Sequence, residues 1–126
     1  MLLVPPFTIL YVSNPARSAR IYRELFGRPP VEESPTFVMF VFESGAKLAL
    51  WSSATVEPAV TQCAGAMELA FPLPDEASVD SGLAECQARG LTIIQQPIRM
   101  EFGYTGMALD PDGHRLRLYC LAAEPG

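Results

Sequence analysis

Apolar residues along this chain switch between two spacings, and the switches mark out its elements. Residues 7–12 hold Phe, Ile, Leu, Tyr and Val in a short run that predicts a buried strand. Asn14 and Pro15 follow, a side chain suited to capping a helix and a ring suited to its first position. Ile21, Tyr22, Leu25 and Phe26 then recur at three- and four-residue intervals, which predicts a helix of about twelve residues stopped by Gly27. Beyond Pro29-Pro30 there is room for a short strand near Val31. An almost continuously apolar stretch over 37–42, the turn Glu43-Ser44-Gly45 and a further run over 47–52 predict two more strands.

The same order returns from Met67. Residues 67–73 read as a strand, and Asp75 is placed to cap a helix with Val79, Leu83 and Cys86 on one face, ending at Gly90. Residues 91–94 and 102–109 read as strands, Asp110-Pro111-Asp112-Gly113 as a type I turn, and 115–121 as the last strand. The halves align with Gly45 on Gly113, Lys47 to Trp51 on Arg115 to Tyr119, and Phe7 on Glu68. Residues 53–65 carry no periodicity and read as a linker between module one, about 5–52, and module two, about 66–121. Such a repeat predicts an α+β fold in which each module supplies one four-stranded sheet, with helices on one side and an open face on the other. In the last strand Arg115, Arg117 and Tyr119 share one side, while Leu116, Leu118 and Cys120 share the other. The odd-numbered side is predicted to face water or ligand.

Length and charge narrow the partners. A chain of 126 residues is the size of one domain and supports one real core without disulfides or a structural metal. The formal net charge is −5 and the few basic residues are scattered, which argues against nucleic acid. Three cysteines, Cys63, Cys86 and Cys120, are odd in number and lack CxxC spacing, so they read as inert reduced thiols of a cytoplasmic protein. The apolar start of the chain is cut short by Pro5-Pro6 and has no basic flank, so neither a signal peptide nor a membrane span is expected. His114 is the single histidine, and any His-based catalysis must pass through it. It directly follows the turn and reads as a surface or turn residue, with Asp110 and Asp112 capping backbone amides.

The residues now carry a resemblance. The stretch 7–27, the segment Met67-Glu68-Leu69-Ala70-Phe71 and above all the run from Gly103 through Asp110-Pro111-Asp112-Gly113 to Leu116 resemble the vicinal oxygen chelate superfamily. That group includes glyoxalase I, extradiol dioxygenases, fosfomycin resistance enzymes and bleomycin resistance proteins. The resemblance covers nearly the whole chain. It implies two βαβββ modules in tandem, with mixed, curved sheets forming a concave cleft, in a homodimer whose chains swap modules so that each pocket sits between subunits.

In metal-dependent members of the superfamily the ligands come from the first and last strands of each module. Carried onto this chain, those positions are Phe7, Glu68, Ala49 and Arg117. Of these only Glu68 is a ligand type, and transition metals need three or four protein ligands. No metal or other cofactor is therefore expected. What remains resembles the ligand-binding branch, the bleomycin and more closely the phenazine antibiotic resistance types, which sequester a flat aromatic drug without altering it. Trp51, Tyr104 and Phe40 are the candidate aromatic walls, since offset stacking adds about 0.5 to 1.5 kcal/mol per pair. Phe7, Glu68, Arg117 and Tyr119 complete the candidate ligand-binding set, with a charged pair orienting a polar group of the ligand.

Plainer readings stand beside these. Trp51 is equally a large core residue, Tyr104 an ordinary strand aromatic, and Glu68 with Arg117 a structural salt bridge in the space a metal would fill. The competing functions are a glyoxalase- or dioxygenase-like enzyme, with Glu68 as base or sole remaining metal ligand, and a structural or regulatory subunit whose cleft its own side chains fill.

Overall fold

The structure is a computed structural model and describes Leu3 and residues 7–122. The chain divides into two compact units, Met1–Gln62 and Cys63–Gly126, and the division falls within the aperiodic stretch 53–65. Among the described residues no helix is long and apolar enough to cross a membrane.

The first unit runs β1 (Thr8–Val12), α1 (Pro15–Phe26), β2 (Glu32–Glu33), β3 (Phe37–Val41) and β4 (Lys47–Ser52). Its four strands lie in the order β1-β4-β3-β2, with β1 parallel to β4 and the other pairs antiparallel. The α1 cap is built as its sequence predicts. Asn14 accepts a hydrogen bond from the Arg17 amide at 3.1 Å, Pro15 opens the first turn, and Gly27 leaves it in the left-handed conformation. One face of the helix buries Ala19 and Tyr22 against Leu10, Val12, Val38, Phe40, Leu48 and Leu50. Phe26 joins this core, with ring centroids 5.4 Å from Tyr22 and Phe40 and 4.9 Å from Phe42.

The second unit repeats the plan as β5 (Glu68–Pro72), α2 (Glu76–Ala88), β6 (Thr92–Met100), β7 (Gly103–Leu109) and β8 (Arg115–Leu121). Strand order is β5-β8-β7-β6, with β5 parallel to β8. The register reproduces the alignment of the two halves: Thr8 lies opposite Leu48, and Leu69 opposite Leu116. Asp75 caps α2, its Oδ1 accepting from the Ser78 amide at 2.8 Å. The apolar stripe of Val79, Leu83 and Cys86 is buried on the sheet. Gly106 makes this approach possible, because a Cβ there would meet Leu83 Cδ1 at 2.0 Å.

One boundary differs from expectation. β6 extends six residues beyond the predicted 91–94 to Met100, through Gln95, Gln96 and Pro97, with register shifts against β7. Proline and polar residues hide a strand from a search for apolar runs. They are tolerated here because β6 is the sheet edge, where a missing N–H breaks no inner ladder.

Candidate functional site

Each sheet carries its helix on one face and leaves the other face without one, and strand parity decides which side chains reach the open face. In the first unit β4 sends Leu48, Leu50 and Ser52 under α1, so Ala49 and Trp51 point the other way. Tyr11 of β1 and Phe37 of β3 are the register partners of Trp51 on either side. The three rings form one row across three strands. Tyr11 and Phe37 stand edge-on to Trp51, with centroids at 6.5 and 6.2 Å and interplanar angles of 78° and 80°. Ile9, Met39 and Val41 continue the same apolar surface, and Phe7 lies just before it on β1's side of the row. Tyr11 and Phe7 are each 44% exposed, so the surface is aromatic and open rather than sealed.

The open face of the second unit is polar at its centre. Arg117 Nε and Nη2 donate to the two carboxylate oxygens of Glu68 at 2.6 and 3.2 Å. Arg117 Nη1 donates to Thr105 Oγ1 at 3.1 Å, and Thr105 in turn donates to the Leu118 carbonyl at 2.8 Å. The Arg117 guanidinium lies 5.9 Å from the centre of the Phe102 ring, which is edge-on to Tyr119 at 6.3 Å. The Arg117 side chain is 19% exposed and that of Glu68 35%, so the pair is half-covered.

The structure brings together Trp51 and the Phe7 side of the first unit's open face, and Glu68, Arg117 and Tyr119 on the second's. It places two of the candidates elsewhere. Phe40 is fully buried beneath α1 against Phe26, because it shares parity with Val38 and faces the helix instead of the Trp51 side. Tyr104 also lies on its sheet's helix face, where its hydroxyl donates to Asp80 of α2 at 2.7 Å. That bond to a carboxylate, then burial, pushes the Tyr104 phenol above its ordinary value. The glycine before it serves the backbone, not a ligand: at Gly103, φ 153°, a Cβ would fall 2.1 Å from the Cys120 carbonyl oxygen.

Tyr104 instead lines a cavity of about 370 Å³ at the start of α2, with Arg99 and Cys120. Its polar side chains are already matched, Arg99 to Glu76 by both guanidinium arms and Tyr104 to Asp80. Of the cysteines, Cys63 is exposed and Cys86 and Cys120 are buried, all three free. Burial, with the Glu85 charge adding, pushes the Cys86 thiol up, which suppresses the reactive thiolate. His114 follows the turn, as the sequence reading has it, but its ring is largely covered. Its side chain is only 12% exposed, and Nδ1 lies 2.8 Å from Asp110 Oδ2. Asp110 Oδ1 accepts from the amides of Asp112 and His114, both at 2.9 Å, the capping role read from the turn.

The donor set does not fit a metal. The four positions at which the resemblance puts ligands hold an apolar ring, a methyl group, a guanidinium and one carboxylate, and that carboxylate has both oxygens on the guanidinium. Among the described residues no three His, Cys, Asp or Glu side chains are grouped to hold an ion.

Sequence reasoning missed four residues of these faces: Tyr11, Phe37, Phe102 and Thr105. Tyr11 and Phe37 were within reach, since the parity that selects Trp51 also selects them once β1 and β3 are set in register. Thr105 was not, because nothing in a lone threonine reveals that it will hold an arginine.

Known proteins agree with this architecture. A sequence profile of the Glyoxalase/Bleomycin resistance protein/Dioxygenase superfamily matches residues 5–118. The chain is 32% identical over 119 residues to the phenazine antibiotic resistance protein EhpR of Enterobacter agglomerans, covering 92% of this chain and 91% of that one. A protein of Agrobacterium tumefaciens solved by NMR is 51% identical, with a TM-score of 0.89 over 97% of this chain and 100% of its own. A glyoxalase-related enzyme from Fulvimarina pelagi is 28% identical, with a TM-score of 0.84 over 94% of this chain and 88% of its own. With the repeated βαβββ plan, the shared register and a profile match that spans both units, the chain belongs to the Glyoxalase/Bleomycin resistance protein/Dioxygenase superfamily.

Proposed function

We propose that this chain binds a small planar aromatic molecule and sequesters it unchanged, without a metal, as a cytoplasmic homodimer in the manner of an antibiotic-binding resistance protein. The observation that carries the reading is the half-open row of Tyr11, Trp51 and Phe37, an apolar aromatic surface on the face of its sheet opposite α1. Such a surface rewards a flat conjugated partner, which gains stacking in addition to the area it removes from water. Phe7 extends the stacking surface of the first unit, and the second unit's own open face presents Glu68, Arg117, Tyr119 and Phe102 as further candidate ligand contacts. The likeness to a protein named for phenazine resistance supports the ligand class. The free thiols suit a reducing compartment.

The enzyme reading draws support from the glyoxalase-related relative, yet it asks Glu68 to act as base or ligand. Both of that residue's oxygens are engaged by Arg117, so either role first requires breaking the pair.

Trp51 is the single tryptophan, so its emission reports on this surface alone. Titration with phenazine is expected to quench it saturably, and Trp51→Ala to weaken binding, measured by calorimetry, by about tenfold or more. Unchanged emission across a panel of planar aromatics, with binding indifferent to Trp51→Ala, would contradict the assignment.

A further inference from the structure

We propose that the outer face of α1 is a docking surface for an acidic helical segment of a partner protein, received on Arg17, Arg20 and Arg23. The three arginines follow one another at three-residue intervals and are all exposed, on the side of α1 opposite the buried Ser18, Ala19 and Tyr22. α1 thus holds three of the chain's nine basic residues and one of its fourteen acidic ones, Glu24, so a chain of net charge −5 carries +2 on this helix and −7 elsewhere. Arg17 makes a side-chain hydrogen bond to the neutral Ser13 hydroxyl at 3.2 Å, and neither it nor Arg20 has an ion pair among the described residues. Arg23 meets Glu33 at 3.4 Å in a pair exposed on both sides, which holds it only weakly.

This arrangement works against the helix that carries it. Cations three residues apart repel one another, and Arg17 lies in the first turn, where the helix dipole favours a carboxylate. No acidic residue stands in that turn. α2, the same element of the second unit, follows the rule, with Asp75 at its cap and Glu76 in its first turn. A charge pattern that costs its own element stability draws its compensation from outside the chain. The three arginines span about 9 Å of helix, and a partner helix with Glu at i, i+3 and i+7 sets its carboxylates over about 10 Å, each able to take two N–H donors of a guanidinium. Other anionic partners fit less well. A membrane-binding helix needs an apolar face to insert, whereas α1 spends its own on the sheet and exposes no large apolar residue. Nucleic acid would bring many phosphates against a remainder of charge −7 in return for three contacts. α2 of a second copy is no match either, since its Glu76, Asp80 and Glu85 are already engaged by Arg99, Tyr104 and Arg89.

Fluorescence anisotropy tests this on the full-length protein with a fluorescein-labelled peptide of three Glu-Ala-Ala-Glu-Ala-Ala-Ala repeats. Saturable binding is expected at about 20 mM salt, weakened about tenfold or more at about 300 mM, where exposed charges are screened. Replacing both Arg17→Ala and Arg20→Ala should lower the low-salt affinity about tenfold or more. Arg115→Ala, which removes an exposed cation from β8, should leave it unchanged. Arg17→Glu should abolish binding while raising the melting temperature, because it relieves the first turn of α1, so the loss is not one of folding. The inference is overturned if the wild type fails to bind the peptide at low salt or if the double variant binds it as tightly as the wild type. Tighter binding of phosphatidylserine vesicles or of duplex DNA than of the peptide overturns it as well.

Discussion

Asp110 holds the last hairpin together from inside the turn. Its side chain is fully buried, one oxygen accepts two backbone amides, and the other faces the His114 ring. Asp110→Ala leaves those donors without their acceptor, and orphaned buried donors cost about 1–3 kcal/mol each. Chemical denaturation should show a loss of about 2–3 kcal/mol; a change within about 0.5 kcal/mol would contradict this role. The turn and its capping were readable from Asp-Pro-Asp-Gly, whereas the pairing of His114 with Asp110 was not, since it depends on where Asp110 points its second oxygen. The same limit applied to single aromatic residues. Parity along one strand placed Trp51 and Arg117 on open faces, but Phe40 and Tyr104 sit on other strands, and their side is settled only by register against β4 and β8.

At the scale of elements, helix ends and helix-to-sheet approach govern the outcome. α2 packs closely enough that Gly106→Ala would force Leu83 aside, and overpacking of this kind costs about 1–3 kcal/mol. A Gly106→Ala protein as stable as the wild type in urea would show that the helix can lift without penalty. The cap of α2 also makes its start sensitive to acid. Hydrogen bonds from the Ser78 hydroxyl and amide hold the Asp75 carboxyl below its usual value of 3.8. A depressed carboxyl contributes stability above its unfolded value, and that stability is lost as pH falls through the folded one. Protection of the first-turn amides of α2 from exchange, taken relative to their intrinsic rates, should therefore fall below about pH 4 in the wild type but stay level in Asp75→Asn; equal profiles would contradict the cap's titration. Both helices announced themselves through caps and apolar spacing, because those signals are local. β6 did not: its edge position, which excuses Pro97 and its polar neighbours, is a property of the whole sheet.

For the molecule as a whole, repetition was the most readable property. Two segments that pair their first strand in parallel with their last, at matching register, leave the same trace in both halves of the sequence. The open faces were readable as a consequence of that repeat, though not their contrast, aromatic in the first unit and charged at the centre of the second. Exposing a row of aromatics favours a further partner. With the proposed homodimer, light scattering behind size exclusion should give twice the 13.7 kDa chain mass at micromolar concentration; a monomer would contradict it. The proposed function is binding without metal and without chemistry. Equilibrium dialysis of phenazine against protein stripped with a chelator, followed by mass spectrometry of the recovered ligand, tests it most directly. Saturable binding, unaffected by the chelator, is expected, with the phenazine recovered intact. Loss of binding on chelation, or recovery of a converted product, would contradict it.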